Sequence, residues 1–276
     1  MFTLNCKGKL LTINDPIVMG IINTTPDSFF EGSRKNSVDA ALQQAEKMIT
    51  DGATIIDIGG QSTKPKSQLI SSDEELQRVI PTIQAIQQQF PAIIISVDTY
   101  YAAVAKEAVS AGASIINDVS GGLLDEAMLT TVAKLKVPYI CMHMQGTPQT
   151  MQQNPTYKNV TKEVLNFFIE RIDTCQKTGI HDVIVDFGFG FGKTIVHNFQ
   201  LLKEMNAFKM LQKPLLVGIS RKATIYKTLG NTANEALNGT TSLHTIALLN
   251  GANILRVHDV KEAMECIKLV TAYRNN

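Results

Sequence analysis

The sequence predicts a (β/α)8 TIM barrel preceded by a short N-terminal β-hairpin. Three observations predict it. Eight short β-branched, apolar runs recur, at 16–22, 53–59, 92–97, 113–118, 137–142, 182–186, 214–219 and 252–257. Unbroken Val/Ile/Leu runs mark strands buried on both faces, the signature of a parallel sheet. Stretches of helical period separate all eight runs. Polar or Gly-rich residues stand just past each run: Asn23, Gly59-Gly60, Asp98, Asn117, His143, Asp186, Ser220-Arg221-Lys222, and Arg256 with His258. In barrels of this kind the active site is built where the strands end.

In chain order, residues 1–15 alternate around Lys7-Gly8-Lys9 and read as a small hairpin suited to plug the barrel's N-terminal end. Helices are expected at 37–50, 73–89, 100–111, 125–135, 157–178, 197–211, 233–250 and 260–273. Ser72-Asp73-Glu74-Glu75 has the composition of a helix start, and Gly52, Gly112, Gly179 and Gly251 mark helix stops. Two connections are long, 23–36 after the first run and 59–72 after the second. Long Gly/Ser/Pro loops on a catalytic face read as mobile, substrate-covering elements.

A length of 276 residues suits one barrel domain spanning 1–276. Twenty-six Lys+Arg against 25 Asp+Glu leave no global field to steer nucleic acid or an anionic membrane. No apolar run approaches the roughly 18–20 residues of a membrane span. The N-terminus lacks the apolar core of a signal peptide, so a cytoplasmic protein is expected. The four cysteines are widely spaced and read as buried, inert thiols.

The glycine-rich stretch Val185–Thr194 fails both nucleotide patterns. A P-loop needs glycine where Phe187 stands, and the dinucleotide spacing from Gly190 ends on Ile195. What remains is a strand ending in Asp186 and a flexible aromatic loop. Taken singly, Asp98 reads more readily as a helix cap, with Thr99 sharing the task, and Asn117-Asp118 can be read as Asx-turn formers. His143 ends the fifth run and is expected to face the mouth, with a structural histidine as the even alternative. Jointly these polar residues need partners, and a flat, polar heteroaromatic ligand supplies them. Asp186 suits adjacent N–H donors, and Asn117 can donate and accept together. Arg256, His258 and Asn23 suit an anionic leaving group, with or without a metal ion.

The motifs go further than barrel logic. Met19–Phe29 (MGIINTTPDSF) and Ile56–Pro65 (IDIGGQSTKP) resemble the two signatures of the dihydropteroate synthase family. The resemblance continues through Ser96–Thr99, Ile116–Val119, His143–Gln145, Gly188–Lys193, Gly218–Lys222 and Arg256–Asp259, in family order and at strand ends. It implies condensation of a dihydropterin-methyl diphosphate with p-aminobenzoate in folate synthesis, with Mg2+ as cofactor. Carried over by motif, the pterin pocket is Asp98, Asn117, Met142, Asp186, Gly218 and Lys222. The diphosphate falls to Asn23 (with Mg2+), Thr63, Lys64, Arg256 and His258. The p-aminobenzoate site is Thr63, Pro65, Phe191, Ser220 and Lys222. Asp98, Lys222, Arg256 and Asn23 carry the catalytic roles. The partners implied are small-molecule substrates and a second copy of the chain in a homodimer.

The chain departs from that pattern at three places. Lys64 stands where arginine is usual, keeping charge but losing the planar fork. Phe187 replaces a proline after the pocket aspartate, removing a fixed φ. The first loop reads Phe30-Glu31-Gly32 where Asp-Gly is more usual. Sulfonamide response in the family depends on these loops. Two other readings share the pocket: a pterin-binding barrel serving corrinoid methyl transfer, and a catalytically silent paralogue. The first has no need of the Thr63-Lys64-Pro65 loop or the Ser220-Arg221-Lys222 turn, and both are present.

Overall fold

The computed structural model describes residues 1–24, 34–61 and 69–276. The loops expected to cover the site fall largely outside the described residues, and Thr63, Lys64, Pro65 and Phe30-Glu31-Gly32 fall there too. Strands β3 (Ile17–Asn23), β4 (Ile55–Gly59), β5 (Ile94–Asp98), β6 (Ile115–Asp118), β7 (Tyr139–Met142), β8 (Val183–Asp186), β9 (Leu215–Val217) and β10 (Ile254–Val257) are parallel. They close a barrel in sequence order, β10 pairing with β3. The hairpin is β1 (Phe2–Cys6) against β2 (Lys9–Ile13), with Leu4 opposite Leu11.

Strand alternation sets what each residue faces, because successive side chains point to opposite sides. Met19, Ile55, Ile94, Ile115, Ile140, Ile184, Leu216 and Ile254, one from each strand, pack together inside the barrel's N-terminal end. Leu4, Cys6, Leu11 and Ile13 of the hairpin close that layer from below, as the alternating sequence predicts. The residues between them, such as Ile56, Ile95, Ile116 and Leu255, face the helices and form the larger core. Two positions onward from the apolar floor the inward residues change character: Ile21, Asp57, Ser96, Asn117, Met142, Asp186, Gly218 and Arg256. The apolar plug therefore leaves one open end, and the polar layer lies beneath it.

The helices are α1 (Arg34–Thr50), α2 (Ser72–Gln89), α3 (Ala102–Ala111), α4 (Met128–Leu135), α5 (Val160–Thr178), α6 (Ile195–Lys203), α7 (Ala223–Leu229), α8 (Leu237–Leu249) and α9 (Val260–Asn275). Among the described residues none is long and apolar enough to cross a membrane. The cap of α2 is Ser71, whose Oγ accepts from the Glu74 N–H at 3.2 Å. The expected helix 197–211 divides into α6 and a 3-10 segment, Met205–Leu211. Three-residue winding places Met205 and Phe208 on one face, and both are fully buried. Helix α7 was not expected, because seven residues directly after a polar turn give too few turns for a period to show. All four cysteines are buried and unpaired.

Candidate active site

Three carboxylates and two cations converge at the open end. Arg256, on β10, reaches across the barrel to β4 and β5. Its Nε donates to Asp57 Oδ2 at 2.7 Å, and Nη2 lies 2.6 Å from the same oxygen and 2.7 Å from Asp98 Oδ2. Burial works against the Arg256 charge, but Asp57 and Asp98 together hold its pKa above the ordinary value. The Asp98 carboxyl is pushed up to about 7 by burial, opposed by Arg256 and reinforced by Asp57, Asp118 and Asp186. One guanidinium shared by two carboxylates in a dry site leaves negative charge unneutralised.

Asp186 and Lys222 form the second charged group. Asp186 Oδ1 accepts from the Gly188 N–H at 2.8 Å. Its other oxygen and Lys222 Nζ border the spot where Gly218 lacks a side chain: a Cβ there would lie 3.9 Å from Asp186 Oδ2 and 4.0 Å from Nζ. Burial raises the Asp186 carboxyl and lowers the Lys222 ammonium to about 8, each offset by the other's charge. Lys222 Nζ also stands 4.6 Å over the Phe191 ring and donates to the Phe189 carbonyl.

Between these groups lie acceptors without partners. Asn117 Nδ2 donates to Asp57 Oδ2 at 3.0 Å. Asp57 Oδ1, Asn117 Oδ1 and Ser96 Oγ, all buried, have no hydrogen-bond partner among the described residues. Each unpaired buried polar atom costs about 1–3 kcal/mol. A ligand carrying several N–H donors recovers that. Tyr100, Val119 and Met142, with Tyr101, Met144 and Phe191 packed against them, form an adjoining apolar patch suited to a flat ring. At the rim, Asn23 is exposed and pairs in register with Gly59, which pairs with Asp98. Ser220 Oγ lies 3.1 Å from His258 Nδ1. Arg221 braces the turn that carries Ser220 and Lys222. Its guanidinium forks Asp259 at 2.7 and 2.8 Å and donates to the Ala233 and Asn234 carbonyls.

The structure thus gathers Asn23, Asp98, Asn117, Met142, Asp186, Phe191, Gly218, Ser220, Lys222, Arg256 and His258 around one barrel mouth. Asp98 caps no helix; the first free N–H of α3, on Ala102, donates to Asp125 instead. Asp118 does form the expected Asx turn, Oδ1 accepting from the Ser120 N–H at 2.8 Å. Two expectations are corrected. His143 belongs to the outward set with Tyr139 and Cys141, and its ring meets Phe167 edge-on at 4.9 Å. The aromatic loop after β8 is tied down rather than flexible, through hydrogen bonds to five successive carbonyls. At its base Phe187 is fully buried and meets Phe208 at 4.7 Å, so packing holds the residue where a proline would fix φ. Asp57 and Ser96 were not singled out from the sequence. Their signal is parity: each lies two residues before a strand-end position, and Asp57 is the one charge among Ile55, Ile56 and Ile58.

Comparison with known proteins meets this geometry from outside. The family model described as "Pterin binding enzyme" matches residues 19–258. The dihydropteroate synthase of Escherichia coli is 45% identical over 271 residues, covering 98% of this chain and 95% of that one. The chain belongs to the dihydropteroate synthase family of pterin-binding enzymes. That family places it among the transferases of folate synthesis. The Yersinia pestis dihydropteroate synthase, solved with a sulfonamide drug complex, superposes with a TM-score of 0.94 at 42% identity, each chain covered completely. The Xanthomonas albilineans dihydropteroate synthase, solved in complex with 7,8-dihydropteroate, superposes at 0.90 with 37% identity over 99% of both chains. The family's barrel is therefore the scaffold on which these strand-end residues sit.

Proposed function

We propose that this protein condenses 6-hydroxymethyl-7,8-dihydropterin diphosphate with p-aminobenzoate, giving 7,8-dihydropteroate and diphosphate. One observation carries the reading: a row of buried acceptors without partners runs from Asp57 through Ser96 and Asn117, flanked by Asp98, Asp186 and two cations. A pterin offers adjacent N–H donors along one edge and a flat face for the Met142 patch. Asp98, Asn117, Asp186 and Lys222 would read that edge, with Met142 and Gly218 lining the slot. A relative solved in complex with 7,8-dihydropteroate supports a ligand of this class.

The leaving group would lie toward the rim, against Arg256, His258, Asn23 and the Thr63-Lys64 segment. Where Mg2+ takes part, substrate phosphate oxygens and water would supply most of its ligands, because the ion gives up its waters reluctantly. Asn23, an exposed amide at the mouth, fits as the protein's share of that set. When bound, the ion supplies charge neutralisation of the departing diphosphate. The C–O bond then breaks with its electron pair leaving on diphosphate. The remaining positive charge spreads into the pterin, where the Asp98 carboxylate stabilises it. The neutral amine of p-aminobenzoate, held by Phe191, Ser220, Lys222, Thr63 and Pro65, forms the C–N bond. Its surplus proton passes to water or diphosphate. No protein nucleophile is required. A homodimer is proposed through α8, where Ile246 and Leu249 remain exposed.

The test is incubation of the purified protein with the pterin diphosphate, p-aminobenzoate and Mg2+. Diphosphate and dihydropteroate should form in equal amounts; no release of either would overturn the reading.

A further inference from the structure

The connection between β8 and α6 carries Phe191 to the mouth, and side-chain donors hold it along its length. Five successive carbonyls are taken. Lys193 Nζ donates to Gly188 and Phe191, each at 3.0 Å, and Lys222 Nζ to Phe189. Gln152 Nε2 donates to Gly190 at 2.6 Å and the Tyr157 hydroxyl to Gly192 at 2.7 Å. The backbone is also pressed against the neighbouring β7–α5 connection. A Cβ at Gly188 would run into the His143 carbonyl, and one at Gly192 into that of Gln145.

Lys193 is the hub of this arrangement. Beyond its two loop carbonyls, its Nζ lies 3.1 Å from the His143 carbonyl and 2.9 Å from His143 Nδ1. The residue is only 3% exposed. A lysine this dry is unfavourable unless its donors are matched, and here three carbonyl oxygens accept from Nζ. His143 is held in turn by Phe167, which explains why its ring faces the helices. Lys193 makes no hydrogen bond to the groups assigned to the pterin or the diphosphate; its link to them is Gly188, whose carbonyl it binds and whose N–H donates to Asp186.

We propose that Lys193 is a positioning residue for the aromatic amine: by binding the carbonyls of Gly188, Phe191 and His143 it fixes the Phe191 ring against Lys222 and so shapes the p-aminobenzoate subsite. The inference rests on the function proposed above. It bears chiefly on the amine, because Phe191 rides on the loop that Lys193 holds while Asp98, Asn117 and Asp186 stand on strand ends.

The experiment is steady-state kinetics with both substrates, alongside calorimetry of pterin diphosphate binding, on the wild type, Lys193→Met and Tyr157→Phe. Lys193→Met should raise KM for p-aminobenzoate about tenfold, the equivalent of one lost hydrogen bond of about 1.4 kcal/mol, with pterin affinity within about twofold. Tyr157→Phe, which removes a single hydroxyl from the loop's far end, should shift the same KM a few-fold. If Lys193→Met does not fold, Tyr157→Phe and Gln152→Ala decide in its place. An unchanged p-aminobenzoate KM, or equal weakening of both substrates, would reduce Lys193 to a fold-holding role and overturn the proposal. A wild type that forms no dihydropteroate would instead remove the function on which it rests.

Discussion

Asp186→Ala is expected to weaken pterin binding by at least about 100-fold, from the loss of charge-assisted hydrogen bonds of about 1.5–3 kcal/mol each. Asp186 Oδ1 is engaged by the Gly188 N–H, while Oδ2 is turned toward the Gly218 gap beside Lys222. That gap is a slot kept open by a residue without a side chain. An N–H pair entering it meets a carboxylate placed by a rigid strand end, so little ordering remains to be done on binding. Removing the carboxylate also leaves the Lys222 ammonium without its compensating charge in a buried site. Titration calorimetry with the pterin diphosphate measures the effect, and thermal unfolding of the variant checks that the barrel persists. Unchanged affinity would remove Asp186 from the pocket.

Asp98→Asn is expected to act on the rate instead. The substitution preserves shape and leaves an oxygen for Arg256, but deletes the negative charge proposed to stabilise the developing cation. Removing one such electrostatic group typically lowers kcat by about 10²–10³-fold. Pterin affinity should change far less, because Asn117 and Asp186 still read the ring. The pH profile gives a second signature. Burial pushes the Asp98 carboxyl up to about 7, so its active, ionised form accumulates as pH rises through that value. In the wild type kcat/KM, which reports the free enzyme, should climb toward pH 7 and then level off. In Asp98→Asn that limb should disappear. An unchanged kcat would sink the assignment.

The strand ends were legible because two periods coincide in this chain. The apolar runs mark buried parallel strands, and their final residues are placed at the mouth by the barrel itself. Asp98, Asn117, Asp186 and Arg256 followed directly. Two inward residues that fall short of their strand ends are harder to see. Asp57 and Ser96 face the same interior, in the layer that also holds Asn117, Asp186 and Arg256, yet look like interruptions in apolar strands. Parity counted from the floor residues Ile55 and Ile94 finds both. The same count turns His143 outward, since it shares a face with Tyr139 and Cys141 rather than with Met142.

The loops were less legible, for a physical reason. Lys193 sits after a run of glycines and phenylalanines, where no period indicates what a side chain faces. Two of its four contacts are to His143, just past β7 and 50 residues away in sequence. A glycine-rich stretch reads as flexible from composition alone. Here the absent side chains let two backbones approach closely, and the donors that pin the loop come from Lys193 within it and from Gln152, Tyr157 and Lys222 elsewhere.

Departure of diphosphate before attack by the amine, driven by the charges at the strand ends, is the order of steps proposed for this protein. It is tested most directly with a pterin diphosphate carrying 18O in the bridge between the methylene carbon and the α-phosphorus, incubated with the protein and Mg2+ but without p-aminobenzoate. If cleavage comes first and is reversible on the protein, label should appear in non-bridging positions of the recovered substrate. Label that stays wholly in the bridge, in a preparation that forms dihydropteroate once the amine is added, would contradict it.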